Sequence, residues 1–438
     1  MKHSVGDATR GAQEITMTQR SPVPRTFSLT LQFVLPMFLI TGCDVTLHVG
    51  RVGSGPPGSS SGDGGPEAGG TGGSYIASSD ASTTPPVHDI PTRHPALTST
   101  SKLDLVFMVD DSLSMAPLQS KMRAKMGDFM NVLKSIPGGL PDLHLAVVSS
   151  SLGAGVFGDV SGCKPGTEGN VSGLFQHPAG CTQLPADQSF LISTVNPGGG
   201  RAENFTGGDI ASVLACIADL GDGGCGFEHQ FESVRVALQR ALLPTDENSG
   251  FLRSDATLAI VMLTNEDYCS IPEDSTLFDP SQLSVNQPLG GLQSYRCNEF
   301  GHLCGGTQPP HGVAGLPVSL DNCVSNENGP LISVGGFVDF LYGLKPGHPE
   351  RIFVAAIAGP PTPYVVTANT FAVGSGEELQ PSIAHSCTSA ADSTQYADPA
   401  VRLRQWLDAF GPNSYFASIC EDDFGPVMQR IATSMVGP

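Results

Sequence analysis

An acidic and serine-rich stretch follows directly after the apolar run LDLVFMV, residues 103–109. Asp110, Ser112 and Ser114 stand there at every second position, and a helical pattern comes next. Carboxylate and hydroxyl oxygens suit a hard divalent cation such as Mg²⁺, which accepts few protein ligands and keeps waters. Asp and Ser are also favoured as caps at the N-terminus of a helix. The pattern therefore predicts a cation site at the end of a buried strand or, as the alternative, a helix cap.

The motif Asp-x-Ser-x-Ser at a strand end resembles the metal-ion-dependent adhesion site of von Willebrand factor type A (vWA) domains. The resemblance implies that Ser112 and Ser114 ligate a divalent cation and that Asp110 orients and charge-balances the site. Mg²⁺ is the expected ion, with Mn²⁺ or Ca²⁺ as alternatives. The resemblance further implies a protein partner that presents an acidic group to complete the coordination.

The family's second metal-binding strand is matched only in part. Here the run LAIVML ends in Leu263-Thr264, but Asn265 stands where the family has an aspartate. Asn265 or Asp267 is therefore expected to complete the metal site, with Glu266 as another source of charge. The alternative is that these residues form a solvated polar loop at a strand end.

The family's distant threonine has no counterpart in the Gly-rich loop DGGCGFEHQF, residues 222–231. Cys225 and Gly226 fall near its position, and Glu228 is the nearest replacement. A further resemblance is the run LAVVSSS, residues 145–151, which ends in small polar residues as in the family. With fewer carboxylates than the family pattern, the site is expected to bind the ion weakly until an acidic partner arrives.

Strand-like and helix-like patterns alternate beyond residue 100. Continuous apolar runs, typical of strands covered on both faces, occupy residues 103–109, 143–148, 256–263 and 351–358. Apolar residues at helical spacing lie between them and near the C-terminus. The alternation predicts an α/β fold with a doubly wound, mostly parallel sheet, vWA-like or Rossmann-like.

Three long segments interrupt this alternation, at about residues 152–205, 268–332 and 359–398. They are rich in Gly, Pro, Ser and Asn, carry cysteines, and are longer than ordinary loops of a compact domain. We expect them to be surface insertions pinned by disulfides within one vWA-like domain, residues 100–438.

The N-terminal region resembles that of bacterial lipoproteins. Arg20 and Arg25 precede an apolar stretch over residues 27–40, which is too short to span a bilayer comfortably. The small residues Thr41-Gly42 then stand directly before Cys43, as in the cleavage box whose cysteine becomes lipidated.

Residues 1–42 are thus expected to form a lipoprotein signal peptide, starting at Met1 or Met17, and Cys43 to be the lipidation site. Residues 43–99 are dominated by Gly, Ser, Pro and Thr and are expected to be a lipid-anchored disordered linker. The mature protein would then be attached to an inner or outer bacterial membrane by its lipid, facing the periplasm or the exterior.

The cysteine count agrees with export. Of eleven cysteines, lipidation of Cys43 would leave ten, an even number expected to be oxidised in an exported chain. Proximity in sequence favours the pairs Cys163–Cys181, Cys216–Cys225 and Cys387–Cys420. Cys269, Cys297, Cys304 and Cys323 remain, and their three pairings stay open.

Charge and motifs limit the classes of function. The net charge is −20, with 22 Lys+Arg against 42 Asp+Glu, and no basic run offers a nucleic-acid surface. The sequence lacks HExxH and has no GxSxG elbow between a strand and a helix, so no enzyme is expected. The predicted function is a cell-surface protein-binding or adhesion module of vWA type. The alternatives are an extracytoplasmic hydrolase with its site in the insertions, and a structural envelope protein with a degenerate metal site.

Overall fold

The computed structural model describes residues 89–437 except 159, 161, 162 and 164–172. The expected signal peptide, Cys43 and most of the expected linker lie outside the described residues. Helices in the described part are α1 (Ala116–Arg123), α2 (Met126–Lys134), α3 (Ile210–Ile217), α4 (Gln230–Ala241), α5 (Tyr295–Gly301), α6 (Val334–Leu344), α7 (Val401–Asp408) and α8 (Phe424–Val436). In that part, no helix is both long and apolar enough to span a membrane.

The strands of the described residues are β1 (Lys102–Val109), β2 (Asp142–Ser149), β3 (Leu191–Val195), β4 (Arg201–Glu203), β5 (Thr257–Leu263), β6 (His302–Cys304), β7 (Val318–Leu320), β8 (Cys323–Ser325), β9 (Ile352–Ala358), β10 (Tyr364–Val373), β11 (Gly376–Ile383), β12 (Cys387–Thr388), β13 (Tyr396–Ala397) and β14 (Ser414–Ser418). Seven of them form the central sheet in the order β14-β9-β5-β1-β2-β3-β4. The first five are mutually parallel, and β3 and β4 continue the sheet antiparallel.

Helices cover both faces of this sheet. Along β1, Leu105 and Phe107 point into a core shared with α1, α2, α3 and α8. Val106 and Met108 point into a second core, shared with α4, α6 and α7. Alternate side chains therefore serve opposite faces, which is why the strand reads as a continuous apolar run. The predicted α/β class with a mostly parallel central sheet is confirmed.

The segment 152–205 is not only a surface insertion, as the sequence predicted, because part of it belongs to the sheet. Leu191 and Ser193 pair antiparallel with Leu145 and Leu143 of β2, and β4 pairs with β3 in turn. The backbone groups of β2 would otherwise lie at an open sheet edge, so pairing with β3 satisfies them.

The segments 268–332 and 359–398 fold together rather than separately. Strand β10 of the later segment pairs with β7 of the earlier one and with β11. Tyr295, Tyr364, Val366 and Ile383 from the two segments share a small core. Because these segments follow the ends of β5 and β9, both arise from the carboxyl edge of the sheet.

The folded domain begins before the predicted residue 100. His94 and Leu97 are buried, and the Leu97 amide donates to the Val436 carbonyl at 2.7 Å. The His94 amide also donates to Asn413 Oδ1 at 2.7 Å. These contacts attach the last ten residues of the predicted linker to the C-terminal helix and its neighbours.

Five disulfide bonds join the ten cysteines of the described residues: Cys163–Cys225, Cys181–Cys216, Cys269–Cys297, Cys304–Cys323 and Cys387–Cys420. The predicted pair Cys387–Cys420 is confirmed.

The predicted pairs Cys163–Cys181 and Cys216–Cys225 are wrong. Cys181 and Cys216 pack against the core of the α3 face. Cys163 and Cys225 instead lie in a separate apolar cluster beneath the insertion at residue 268. Proximity in sequence gave the wrong pairs because Cys216, in the last turn of α3, and Cys225, in the loop after it, pack in different clusters.

Candidate metal centre at the carboxyl edge of the sheet

The Asp-x-Ser-x-Ser motif lies where the strand order of the sheet reverses. From β1 the chain first builds outward through β2, β3 and β4, and then returns to place β5 on the other side of β1. Val109 and Leu263 are register partners at the ends of β1 and β5, and the Asp110 amide donates to the Leu263 carbonyl at 2.9 Å. In open α/β sheets this position, outside the carboxyl ends of the strands, is where ligands bind.

Asp110 is fully buried at this point. One carboxylate oxygen accepts from the Thr264 hydroxyl at 2.6 Å, and the other accepts from the Ser112 amide at 2.9 Å and the Ser150 hydroxyl at 3.3 Å. Burial raises the pKa of Asp110, while these hydrogen bonds to the ionised form oppose the rise. The carboxylate is thus held in one orientation by three neighbouring segments.

Helix capping does not account for the motif. Helix α1 begins at Ala116 with Met115 as its N-cap, and in the described residues no side chain caps that helix end. Asp110, Ser112 and Ser114 instead lie in the turn before the helix. The alternative explanation of the motif, drawn from the sequence, is therefore wrong.

The two serine hydroxyl groups lie in different surroundings. Ser114 donates to Asn265 Oδ1 at 3.2 Å, which brings the predicted strand ends together. Ser112 is 4% exposed; its hydroxyl group lies near the Asp110 carboxyl but makes no well-aligned hydrogen bond among the described residues. A buried hydroxyl group without a well-aligned partner is unfavourable unless something else binds it. Ser112 is therefore placed to ligate an ion beside Asp110.

Asp111, for which the sequence predicted no role, joins the motif to the end of β2 and to the loop of Gly224. Its two oxygens accept from the Ser149 and Ser151 hydroxyls, both at 2.8 Å. Its carbonyl accepts from the Gly224 amide at 2.8 Å. Burial raises the pKa of Asp111 to about 6, and the serine hydrogen bonds oppose the rise. The small polar end of β2 was the sequence feature that could have indicated this role.

Glu228 has a buried carboxyl group near the motif. The residue is fully buried, and neither of its oxygens has a hydrogen-bond donor within the described part of the chain. Burial raises the pKa of Glu228 well above its ordinary value, and the nearby Glu266 and Asp110 carboxyls add to the rise. Burial and the Asp398 carboxyl raise the pKa of Glu266 to about 8. The sequence named Glu228 only as the nearest replacement for a threonine.

Asp267, predicted as a metal ligand, is engaged elsewhere. Its carboxylate accepts from the Arg402 and Leu403 amides at the start of α7, at 2.8 and 3.1 Å, and from the Tyr268 amide at 2.9 Å. It also pairs with His302 Nε2 at 2.8 Å. These contacts occupy its oxygens and tie the insertion to α7, so the structure does not bring Asp267 to the motif.

The motif offers the hydroxyl groups of Ser112 and Ser114 and the carboxyl group of Asp110, and the carboxyl groups of Glu228 and Glu266 are charged neighbours of Asp110. Among the described residues, no group of three or more His, Cys, Asp or Glu side chains is arranged to hold a metal ion. The oxygens at the motif are a mixed set, and such sets suit Mg²⁺, Mn²⁺ or Ca²⁺. The buried hydroxyl group of Ser112 beside the Asp110 carboxyl is the feature that fits an ion of this kind.

Comparison with known proteins adds no relative. No family model matches the chain, and no curated protein matches it significantly.

Proposed function

We propose that this protein is a lipid-anchored, extracytoplasmic binding module that resembles the vWA family and recognises another protein with the help of a divalent cation. The observation that carries the proposal is the buried Ser112 hydroxyl, which makes no well-aligned hydrogen bond among the described residues, beside Asp110 at the strand-order reversal. Switch points of this kind serve as ligand sites in open α/β sheets.

The roles of the side chains follow from their contacts. Ser112 and Ser114 would ligate the ion through their hydroxyl groups, and Asp110 would orient the site and supply negative charge. Thr264 and Ser150 hold the Asp110 carboxylate in place. A bound ion would supply a positive point charge at the rim of the domain.

The rim around the motif offers a surface for a partner. Leu113, between the two serines, is 80% exposed, whereas Ser112 beside it is buried. The exposed Leu113 side chain is available for contact with a partner at this rim. The joined insertions 268–332 and 359–398 arise at this same edge and would supply specificity.

Calorimetric titration of the purified full chain with Mg²⁺ and Mn²⁺ tests the proposal. Ser112→Ala should weaken binding of both ions. Ser120→Ala, an exposed serine on α1, is the matched control and should leave the affinity unchanged. A folded wild type that binds neither ion would overturn the proposal and favour a structural envelope protein. Equal binding by wild type and Ser112→Ala would place the site elsewhere.

A further inference from the structure

One edge of the central sheet is open at strand β14. This strand ends the strand order on one side, and among the described residues it pairs only with β9. The Ile419 amide donates to the Ala358 carbonyl of β9 at 3.0 Å. Because the backbone groups of successive strand residues point to opposite sides, Tyr415 and Ala417 also face β9, whereas Phe416 faces outward. In the part of the chain that the structure describes, no hydrogen bond reaches the Phe416 backbone on that outward side.

The sequence of β14 does not protect this edge. Open sheet edges are usually blunted by charged residues, by proline or by a covering helix or loop, because they otherwise pair with other chains. The strand reads SYFAS, without charge or proline, and four of its five residues are partly exposed. The opposite edge, β4, has only three residues, of which Arg201 and Glu203 are charged. Strand β14 is therefore the edge of the sheet that can accept a further strand.

A groove runs along β14, between the strand and helix α8. It contains two cavities of about 410 and 430 Å³, and Tyr415 and Arg430 line both of them. The larger cavity is also lined by Phe416, Ala417 and Ser418. Five paired residues alone bury too little surface for a stable complex, which needs about 1,200 Å² in total. The groove gives an added strand and its neighbouring side chains room to pack against α8 as well.

The two ends of β14 carry opposite charges. Glu421 is exposed at the carboxyl end, where its amide donates to the Ser418 carbonyl at 3.3 Å and two aspartates follow it. Arg93 is exposed at the amino end, beside His94, whose amide donates to Asn413 Oδ1 at 2.7 Å. Among the described residues, neither the Glu421 carboxylate nor the Arg93 guanidinium has an ion-pair partner.

We infer that two copies of this chain associate edge to edge, with one β14 antiparallel to the other, so that their sheets form one continuous sheet. In a two-fold arrangement centred on Phe416, the outward N–H of each copy donates to the outward C=O of the other. The same axis brings the acidic carboxyl end of each strand beside the basic amino end of the other. Arg93 of one copy then meets Glu421 of the second copy, and this pair forms twice.

A second copy fits this edge better than an unrelated peptide does. It satisfies the Phe416 backbone and both unpaired charges with groups that the chain already carries, and an isologous contact of this kind closes at two subunits. The inference does not depend on the cation site, which lies at the end of β1 in the middle of the strand order.

Analytical ultracentrifugation of the purified full chain carrying Cys43→Ser tests the inference. This substitution removes the cysteine outside the five disulfides, so that neither a lipid nor an intermolecular disulfide holds copies together. The chain should pass from monomer to dimer in the micromolar range, as expected for a small interface.

Charge exchange tests the arrangement of the two copies. Arg93→Glu and Glu421→Arg should each weaken dimerisation by about tenfold, since two attractive pairs per dimer become repulsive. The chain with both substitutions should regain most of the wild-type affinity, because each pair is restored with its charges exchanged. Asp187→Arg is the matched control, because Asp187 is exposed in the loop before β3, towards the other end of the strand order. This control should dimerise as wild type does.

Hydrogen exchange locates the interface. Residues 414–418 should lose protection when the dimer is diluted to monomer, whereas residues 201–203 at the opposite edge should exchange equally in both states.

Four results would each overturn the inference. The first is a chain that stays monomeric at high concentration. The second is a dimer in which residues 414–418 exchange as fast as in the monomer, because another surface then forms the contact. The third is protection of these residues in a monomer, which would show that a segment of the same chain covers the edge. The fourth is a doubly substituted chain that dimerises no better than the single variants, which rules out the two-fold arrangement centred on Phe416.

Discussion

A methyl group added at Gly224 should displace the loop that contacts Asp111 beside the candidate site. The Gly224 amide donates to the Asp111 carbonyl, and a Cβ built on Gly224 would lie 2.6 Å from that carbonyl oxygen. Backbone atoms cannot rotate away as a side chain can, so the loop must shift. Overpacking of this kind costs about 1–3 kcal/mol, and loss of the hydrogen bond adds about 1 kcal/mol. We expect Gly224→Ala to lower the free energy of unfolding by about 2–4 kcal/mol.

The neighbouring glycine provides a control of identical chemistry. Among the described residues, a Cβ at Gly223 would meet no heavy atom within 4 Å. Gly223→Ala should therefore change stability by less than about 1 kcal/mol, and in the stabilising direction if its backbone tolerates alanine. Urea unfolding of the full chain, non-reduced and with chelator present, measures both variants. Equal stabilities of Gly224→Ala and Gly223→Ala would refute the close approach to Asp111 and, with it, the described walls of the site.

Three further predictions follow from other contacts. Replacing Cys181 and Cys216 together by alanine should lower the free energy of unfolding by about 4 kcal/mol, the chain-entropy value for their 35-residue separation, as denaturation would show. Non-reducing peptide mapping of the wild type should find Cys216 joined to Cys181 and not to Cys225. Burial raises the pKa of Asp104 to about 6, so the folded state keeps a proton that the unfolded chain has lost, and stability falls as pH rises from about 4 to 6. In Asp104→Asn this loss should be absent, so the free energy of unfolding of the variant relative to wild type should rise by up to about 3 kcal/mol between about pH 4 and pH 6. Unfolding measured at several pH values checks this. A difference between the two proteins that stays constant with pH would contradict the assignment. Cys43→Ser should release the protein from membranes or block its processing, as membrane fractionation and mass measurement would show.

The insertions change what the carboxyl edge can do. Asp267 ties β5 to α7 and to His302 of the insertion, and His302 Nδ1 pairs with the Tyr364 hydroxyl at 2.9 Å. Tyr364, His302 and Asp267 are each at most 5% exposed. This chain of hydrogen bonds links both insertions to the sheet and holds the loop that carries Glu266. Substitutions there should therefore act on the site through the position of that loop.

The class of fold and the central motif could both be predicted from local sequence patterns. Continuous apolar runs such as residues 103–109 can only be stable when both faces are covered, so local composition predicts a helix-covered parallel sheet. Asp110, Ser112 and Ser114 follow such a run directly, so their position at a strand end depends on contacts close in sequence. The same holds for Thr264 and Asn265 after β5.

Which distant residues lie near the motif depends on how the whole chain packs. Glu228 is 118 positions from Asp110, and its approach depends on how β2, the loop of Gly224 and the start of α4 pack together. The disulfide partners of Cys163 and Cys216 likewise depend on the separation of two apolar clusters, and the distance between cysteines in the sequence does not indicate that separation. Asp267 is the opposite case: it lies close in sequence to Thr264 and Asn265, but its carboxylate is bound by the backbone amides of three other residues and is not available to the motif. Periodicity records which side chains are buried, whereas coordination depends on three-dimensional positions that only the packed chain defines.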